Sequence, residues 1–450
     1  MMFKRKIHDE MMAWKSSPLS KNKALIIKGL RQIGKTFSAM QYAKELYSNV
    51  IYINFKEDEG MKSVFDGDLK VDRMIMDISA RMPKAKFIPG KTILVFDEIQ
   101  ECTNARASIK PFMIDGRFDI VCTGSLLGIK GYNKKRGKGV PTGFEHTIYM
   151  KPMDFEEFLW AKGIGEDVIG EIRSCFDDVR SVSDPIHSAM LRYFKEYICV
   201  GGLPHVVDVF LKTSDMNVVR SESLDIIEEY KDDFGKHLDE NENEYTDPAL
   251  LARINRVFDS IPSQLAKDNK KFQYSMLEKK GRGSEYQAAI QWLVDAGLVV
   301  QCFNLSLLQL PLEGNKRDDV FKLYLGDSGL FVSMLEPGSA GDILSGNLEI
   351  YKGAIYENII ADAFNKMGRK LYYYRRESDL EIDFIMKYKG KVVLVEVKSK
   401  NTKAKAANYI LAHPEYEVDT CIRLGECNVG FNNKIMTIPH YMAFLLDDVQ

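Results

Sequence analysis

Residues 29–36, Gly29-Leu30-Arg31-Gln32-Ile33-Gly34-Lys35-Thr36, satisfy the spacing G-x-x-x-x-G-K-[ST] in full. In that spacing glycines let backbone N–H groups close on phosphate oxygens, the lysine reaches the terminal phosphates and the hydroxyl is offered to Mg²⁺. The apolar run ALIIK precedes the loop and a helix-compatible segment beginning at Phe37 follows it. That is the strand–loop–helix setting a phosphate cradle requires. Further on, TILVFDEIQ ends an apolar run in adjacent carboxylates: Asp97 is expected to hold the Mg²⁺ water shell and Glu98 to polarise an attacking water. FDIVCTGS then brings Thr123 and Ser125 to a strand end, where a hydroxyl either orients that water or caps the next turn.

A second group of chemistry-bearing residues lies late in the chain, in LEIDFIMKYKGKVVLVEVKSK. Two alternating runs flank Lys389-Gly390, a pair suited to a tight hairpin turn. With those two residues as the loop, Tyr388 pairs with Lys391 and Asp383 falls opposite Glu396. Two like charges facing each other are destabilising and ask for a counter-ion. A divalent metal would supply one. Lys398 shares the face of Glu396 through the two-residue repeat of a strand. Upstream, GAIYENIIADAF reads as a helix on which Glu357 stands beside the apolar positions Ile360 and Phe364, so its carboxylate could be turned inward. The same register also allows Glu381 to pair with Lys398 in an ordinary surface ion network.

The elements that position these groups follow from periodicity. Between Lys23 and Met150, short apolar runs alternate with helix-length segments, which predicts an α/β domain with a parallel sheet. Helical periods with Gly and Pro punctuation take over after KPMDFEEFLWAKG, and strand alternation returns at FKLYLGDSGLF and beyond Leu371. With 450 residues, several domains are expected. The net charge of -2 carries no global signal for nucleic acid. Seven scattered cysteines without a C-x-x-C read as reduced thiols. The start lacks the apolar core of a signal peptide, and no apolar run approaches the roughly 20 residues a membrane helix needs. A cytoplasmic protein is the expectation, with no serine-hydrolase elbow, structural zinc site, flavin or NAD fingerprint.

The N-terminal spacings resemble the AAA+ and STAND-like branch of P-loop ATPases. GLRQIGKT, FDEIQEC, TGSLLG, PMDFEEFL, YICVGGLP, IPSQLAKDNKKF, LVDAGLV and KLYLGDSGL together resemble a prokaryotic family of AAA-type ATPases fused to a conserved C-terminal domain of unknown function. The resemblance implies ATP and Mg²⁺ as cofactors, with Gly29 to Phe37, Asp97, Thr123 and Ser125 around them. An arginine finger is nominated at Arg136, within a basic cluster of Lys130, Lys134, Lys135, Arg136 and Lys138, or less well at Arg117. Glu357, Asp383, Glu396 and Lys398 resemble the PD-(D/E)XK nuclease core, although no Pro precedes Asp383. A nuclease of that kind holds a second Mg²⁺ or Mn²⁺ at its carboxylates and attacks a phosphodiester with metal-bound water. Lys387, Lys389, Lys391, Lys400, Lys403 and Lys405 could follow a phosphate backbone.

The expected division is a P-loop ATPase domain over 1–160, a helical lid-like region over 161–240, a winged-helix-like domain over 241–335 and a restriction-endonuclease-like α/β domain over 336–450. GSEYQAAIQWLVDAGLV would be the second helix of a helix-turn-helix, either reading DNA or packing against protein, with Trp292 in the core. Two functional readings stand: an ATPase whose nucleotide state controls a metal-dependent nuclease acting on DNA, and a STAND-like signalling scaffold or DNA-binding regulator that cuts nothing. Protein partners, self-association and DNA are open as partners, and a membrane is not among them.

Overall fold

The computed structural model describes residues 3–126, 142–236, 248–279, 281–347, 352–376, 380–399 and 404–447. Two units divide the chain: 2–151 with 232–247, and 152–231 with 248–450. Lys130 to Lys138, Lys280, Lys400 and Lys403 lie outside the described residues.

The first unit is built on five strands, β1 (Ala24–Gly29), β2 (Asn49–Asn54), β3 (Thr92–Asp97), β4 (Asp119–Ser125) and β5 (Glu145–Tyr149). Their order is β2-β3-β4-β1-β5 and every pairing is parallel. Strands covered on both faces must be apolar throughout, and β3 is buried along its whole length. Phe55, Phe65 and Phe96 meet edge to face beneath it, with ring centroids 5.5 to 5.7 Å apart. The α/β parallel sheet read from the sequence is therefore present. Spatial order adds a fact that sequence order hides: β4 lies between the phosphate-loop strand β1 and the carboxylate strand β3. All three chemical motifs end at the same, carboxyl edge of the sheet, where ligands of such sheets bind.

The second unit opens with helices at Phe155–Ala161, Glu166–Asp177, Asp184–Val200, Pro204–Thr213 and Met216–Lys236, the last of which ends in the first unit. PMDFEEFL starts the first of these with a capping box: Asp154 Oδ1 accepts from Glu157 N at 2.9 Å, and Glu157 Oε2 accepts from Asp154 N at 3.0 Å. Helices Pro248–Leu265 and Gly283–Asp295 follow, with Trp292 buried as expected.

Eight strands then form one sheet in the order β12-β13-β11-β10-β9-β8-β6-β7. They are β6 (Val299–Leu305), β7 (Lys316–Leu325), β8 (Leu371–Arg375), β9 (Glu381–Tyr388), β10 (Lys391–Val397), β11 (Cys421–Gly425), β12 (Gly430–Asn432) and β13 (Ile435–Pro439). β6 and β7 pair antiparallel, as a wing would, but β6 also pairs parallel with β8. β6 and β7 are thus part of one sheet with β8 to β13, which continues across residue 335. The C-terminal order is helix Lys352–Lys366, β8, the β9–β10 hairpin, helix Lys405–Ala412, then β11 parallel to β10.

Two of the quoted sequence motifs, YICVGGLP and KLYLGDSGL, clasp each other inside this unit. Asp327, almost fully buried, accepts from Gly202 N at 2.7 Å and from Gly329 N and Leu330 N at 3.0 and 3.2 Å. Lys366 Nζ lies 3.7 Å from the same carboxylate and 2.8 Å from Asp362. These residues satisfy one another, so the motifs read as structural.

Candidate functional site

The phosphate loop has the backbone its spacing predicted. Gly34, at φ 89, takes the left-handed conformation that starts the helix Lys35–Leu46. Gly29 is needed for a different reason: a Cβ there would stand 2.5 Å from the Met150 carbonyl oxygen. Leu30 and Ile33 are buried in the core, so only their backbone can face a ligand, whereas Phe37 is 46% exposed. Arg5, which sequence reasoning missed, braces the loop by donating to Ile33 O at 2.9 Å and Lys151 O at 2.7 Å.

Lys35 is buried at the loop centre, donating to Leu30 O at 2.6 Å and Gly29 O at 3.3 Å. Burial lowers its pKa from 10.5 to about 8, although the nearby charges of Glu98 and Asp97 favour the ammonium, and Arg31 adds to the lowering.

Asp97, at the end of β3, is held from every side. Thr36 Oγ1 donates to Asp97 Oδ1 at 2.9 Å, and the Thr123 hydroxyl from β4 donates to the same oxygen. Tyr52 from β2 donates to Oδ2 at 2.7 Å and Asn54 to the same oxygen at 3.4 Å. Thr36 and Asp97 form a pair of hard oxygen donors beside the phosphate loop, a donor set that suits Mg²⁺. Tyr52 and Asn54 were not foreseen; the signal was their two-residue spacing on a strand whose Asn54 stands in register with Asp97. Thr123 reaches the carboxylate, whereas Ser125 stands beside Gly29 in the β1–β4 register.

Glu98 follows in a left-handed conformation, φ 52 and ψ 48, and accepts a hydrogen bond from Gln100. For a residue with a side chain this conformation costs about 1–2 kcal/mol, a cost found where a turn aims a functional group. Arg117, the weaker finger candidate, is engaged by Asp115 at 2.7 Å and Asp72 at 2.5 Å. Arg136 lies outside the described residues.

In the second unit the hairpin forms as counted. Lys389 and Gly390 both take positive φ, and Tyr388 pairs with Lys391. The paired register ends with Val395 opposite Phe384, one residue before Glu396 and Asp383. Asp383 instead turns a carboxylate oxygen to Val397 N at 2.8 Å. Glu396 is buried, accepts from Ala407 N at 3.3 Å and is ion-paired with Lys398. Lys398 and Glu381 do not pair; Glu381 goes to Lys322 at 2.8 Å and Arg375 at 3.2 Å.

Glu357 is turned inward, 1% exposed. Its nearest neighbours are cationic and phenolic. Lys322 Nζ donates to Glu357 Oε1 at 2.8 Å, the Tyr324 hydroxyl donates to the same oxygen, and Lys270 pairs with Oε2. Burial alone would raise the pKa of Glu357, yet the two lysines outweigh it and hold the carboxyl below its ordinary range. Asp383 is shifted up, chiefly by burial and then by the charge of Glu357. The counter-ion that the facing carboxylates required is therefore supplied by lysines. Among the described residues no group of three or more His, Cys, Asp or Glu side chains is placed to hold a metal ion. Sequence reasoning missed Lys270 and Lys322; a lone charge inside the apolar alternation VFKLYL was the available signal for the second.

The seven cysteines are all unpaired and, except for the half-buried Cys427, buried. No helix among the described residues is long and apolar enough to cross a membrane.

Three family models match the chain in succession: one described as AAA domain over residues 21–159, and two domains of unknown function, DUF8612 over 191–340 and DUF4143 over 352–441. No curated protein matches the sequence. Among solved structures, the chain is similar to the Aeropyrum pernix ORC2 protein in ADPNP–ADP complexes, at 13% identity and TM-score 0.39, over 76% of this chain and 94% of that one. It is also similar to the Thermotoga maritima RuvB Holliday junction branch migration motor, at 13% identity and TM-score 0.28, over 66% and 89% of the two chains. A third likeness, at 12% identity and TM-score 0.26, is to a Pyrococcus horikoshii STAND protein with a tetratricopeptide repeat sensor, over 84% and 46%. These likenesses are too loose to carry functional meaning. The family match covers the loop, the carboxylate strand and the hydroxyl strand between them, so it is residues 21–159 that resemble an AAA domain.

Proposed function

We propose that this chain binds and hydrolyses ATP in the cytoplasm and that its nucleotide state switches the C-terminal unit between partner-binding conditions. The observation that carries the ATPase reading is the grip on Asp97, one of whose oxygens accepts from both Thr36 and Thr123. Mg²⁺, when bound with the nucleotide, would neutralise phosphate charge beside Thr36 and Asp97. Loop amides and Lys35 bind the phosphates, with the lysine exchanging its bonds to Gly29 O and Leu30 O for phosphate oxygens. Glu98 takes a proton from the attacking water, and Thr123 keeps Asp97 in place while it does so. A fluorescent ATP analogue titrated with Mg²⁺ tests the site: wild type should bind and Lys35→Ala should not. Equal binding by both would remove the assignment.

For the C-terminal unit, the lysines around Glu357 favour a nuclease-like domain that cuts nothing and serves as a scaffold or DNA-binding regulator. A second reading, a metal-dependent nuclease, is supported by the gathering of Asp383, Glu396 and Lys398 at one end of the β9–β10 hairpin behind the Glu357 helix. Supercoiled and single-stranded DNA incubated with Mg²⁺ or Mn²⁺, with and without ATP, separates the two. The scaffold reading predicts intact DNA, and cleavage lost in Asp383→Ala would establish the nuclease instead.

A further inference from the structure

The phosphate loop contains a second cation besides Lys35. Arg31 is its third residue, and its guanidinium forms an ion pair with Asp233, in the last turns of the helix Met216–Lys236. Asp233 is mostly buried and Arg31 about a quarter exposed, so the pair is shielded from solvent screening. Arg31 is also near enough to Lys35 to disfavour the lysine's charge. A carboxylate is thus bound to an arginine of the phosphate loop, in reach of the field of Lys35.

We propose that Asp233 is an internal stand-in for the terminal phosphate, holding Arg31 until the γ-phosphate of ATP takes the guanidinium over. This rests on the ATPase reading of the loop and names its regulation. A phosphoryl group carries more charge than a carboxylate and accepts the guanidinium fork in the same bidentate manner, so it wins the exchange. ADP brings one phosphoryl group fewer and leaves Arg31 with Asp233. The exchange breaks the Arg31 tie to the Met216–Lys236 helix when ATP is bound and re-forms the pair after hydrolysis. Asp233 is in this account a positioning residue, acting on the ligand only through Arg31.

Dissociation constants of the full chain for ADP and for a non-hydrolysable ATP analogue, with Mg²⁺, test the exchange in wild type, Asp233→Asn, Arg31→Met and the double variant. Removing the competitor should tighten the ATP analogue by about tenfold, within the range of ordinary coupling energies, and change ADP much less. Arg31→Met should abolish that gain, so that the double variant matches the single Arg31→Met. A gain equal for both nucleotides, or one that survives Arg31→Met, would mean plain loss of negative charge and overturn the proposal. Weaker binding of the ATP analogue to Asp233→Asn would also overturn it, because Asp233 would then be aiming Arg31 at the ligand. Amide exchange of residues 232–234 gives an independent readout, expected to rise with the ATP analogue and not with ADP. Lys35→Ala separates this from failure of the site itself: if wild type and Lys35→Ala bind neither nucleotide, the ATPase reading falls and the exchange with it.

Discussion

Lys35 illustrates how one buried side chain sets the conditions under which the site operates. With its pKa lowered to about 8, the lysine is already losing its proton just above neutrality, whereas an unfolded chain keeps that proton until near 10.5. The unfolded state therefore binds more protons between those values, and the burial penalty, present below about pH 8, is relieved as pH rises; over 2.5 pKa units it amounts to about 3 kcal/mol. Phosphate binding works the other way, because it needs the ammonium. Nucleotide affinity should fall as pH rises above 8, and binding at pH 8.5 should take up protons, visible as a heat that depends on the buffer's ionisation enthalpy. A pH-independent affinity between 7 and 9.5 would mean Lys35 is not a phosphate ligand. At Asp97, Thr123→Val removes one of two hydroxyls on the same oxygen. It should reduce turnover by about tenfold, in line with loss of one positioned donor, while leaving nucleotide binding near wild type. The loop, both carboxylates and Thr123 were legible because each has a fixed residue type at a fixed place on a strand end. Asp233 and Arg5 were not, since nothing local in the sequence marks a side chain that arrives from a distant segment.

At the scale of elements, the hairpin was legible to the residue because a two-residue turn with Gly fixes register by counting. What counting could not give was the third dimension. β7 is sequence-distant from the hairpin, yet it places Lys322 beside Glu357 and Glu381. The parallel pairing of β6 with β8 was hidden for a related reason, because it involves residues far downstream. The motif clasp offers a direct test of element-level structure. Asp327→Asn leaves the backbone donors of Gly202, Gly329 and Leu330 with a weaker acceptor and takes a charge away from buried Lys366. It should destabilise the second unit by about 3 kcal/mol, the cost of breaking a buried pair, and lower its thermal midpoint by roughly 5–10 °C. ATP turnover per folded molecule should be unchanged.

For the whole molecule, the question is whether nucleotide chemistry in one unit is paired with metal chemistry in the other. The Glu357 cluster makes opposite predictions for the two readings. As an ion-paired scaffold element, Glu357→Gln takes the carboxylate from Lys270 and one of two from buried Lys322 and should destabilise the second unit by about 3 kcal/mol, with the wild-type midpoint indifferent to Mn²⁺. As a metal site, it would raise the wild-type midpoint in Mn²⁺ and lose that shift in Glu357→Gln. Light scattering with and without the ATP analogue addresses self-association, an increase in mass favouring an AAA-like assembly and a constant mass favouring a monomeric switch.

The most direct test of the account is turnover of Mg²⁺–ATP by wild type and Glu98→Gln, measured beside nucleotide binding by the same preparations. Glu98→Gln should bind ATP as wild type does and hydrolyse it about 100-fold or more slowly, the range for loss of a general base. Hydrolysis at the wild-type rate in Glu98→Gln, or none in wild type despite binding, would contradict the claim that this site is an ATPase working through Glu98.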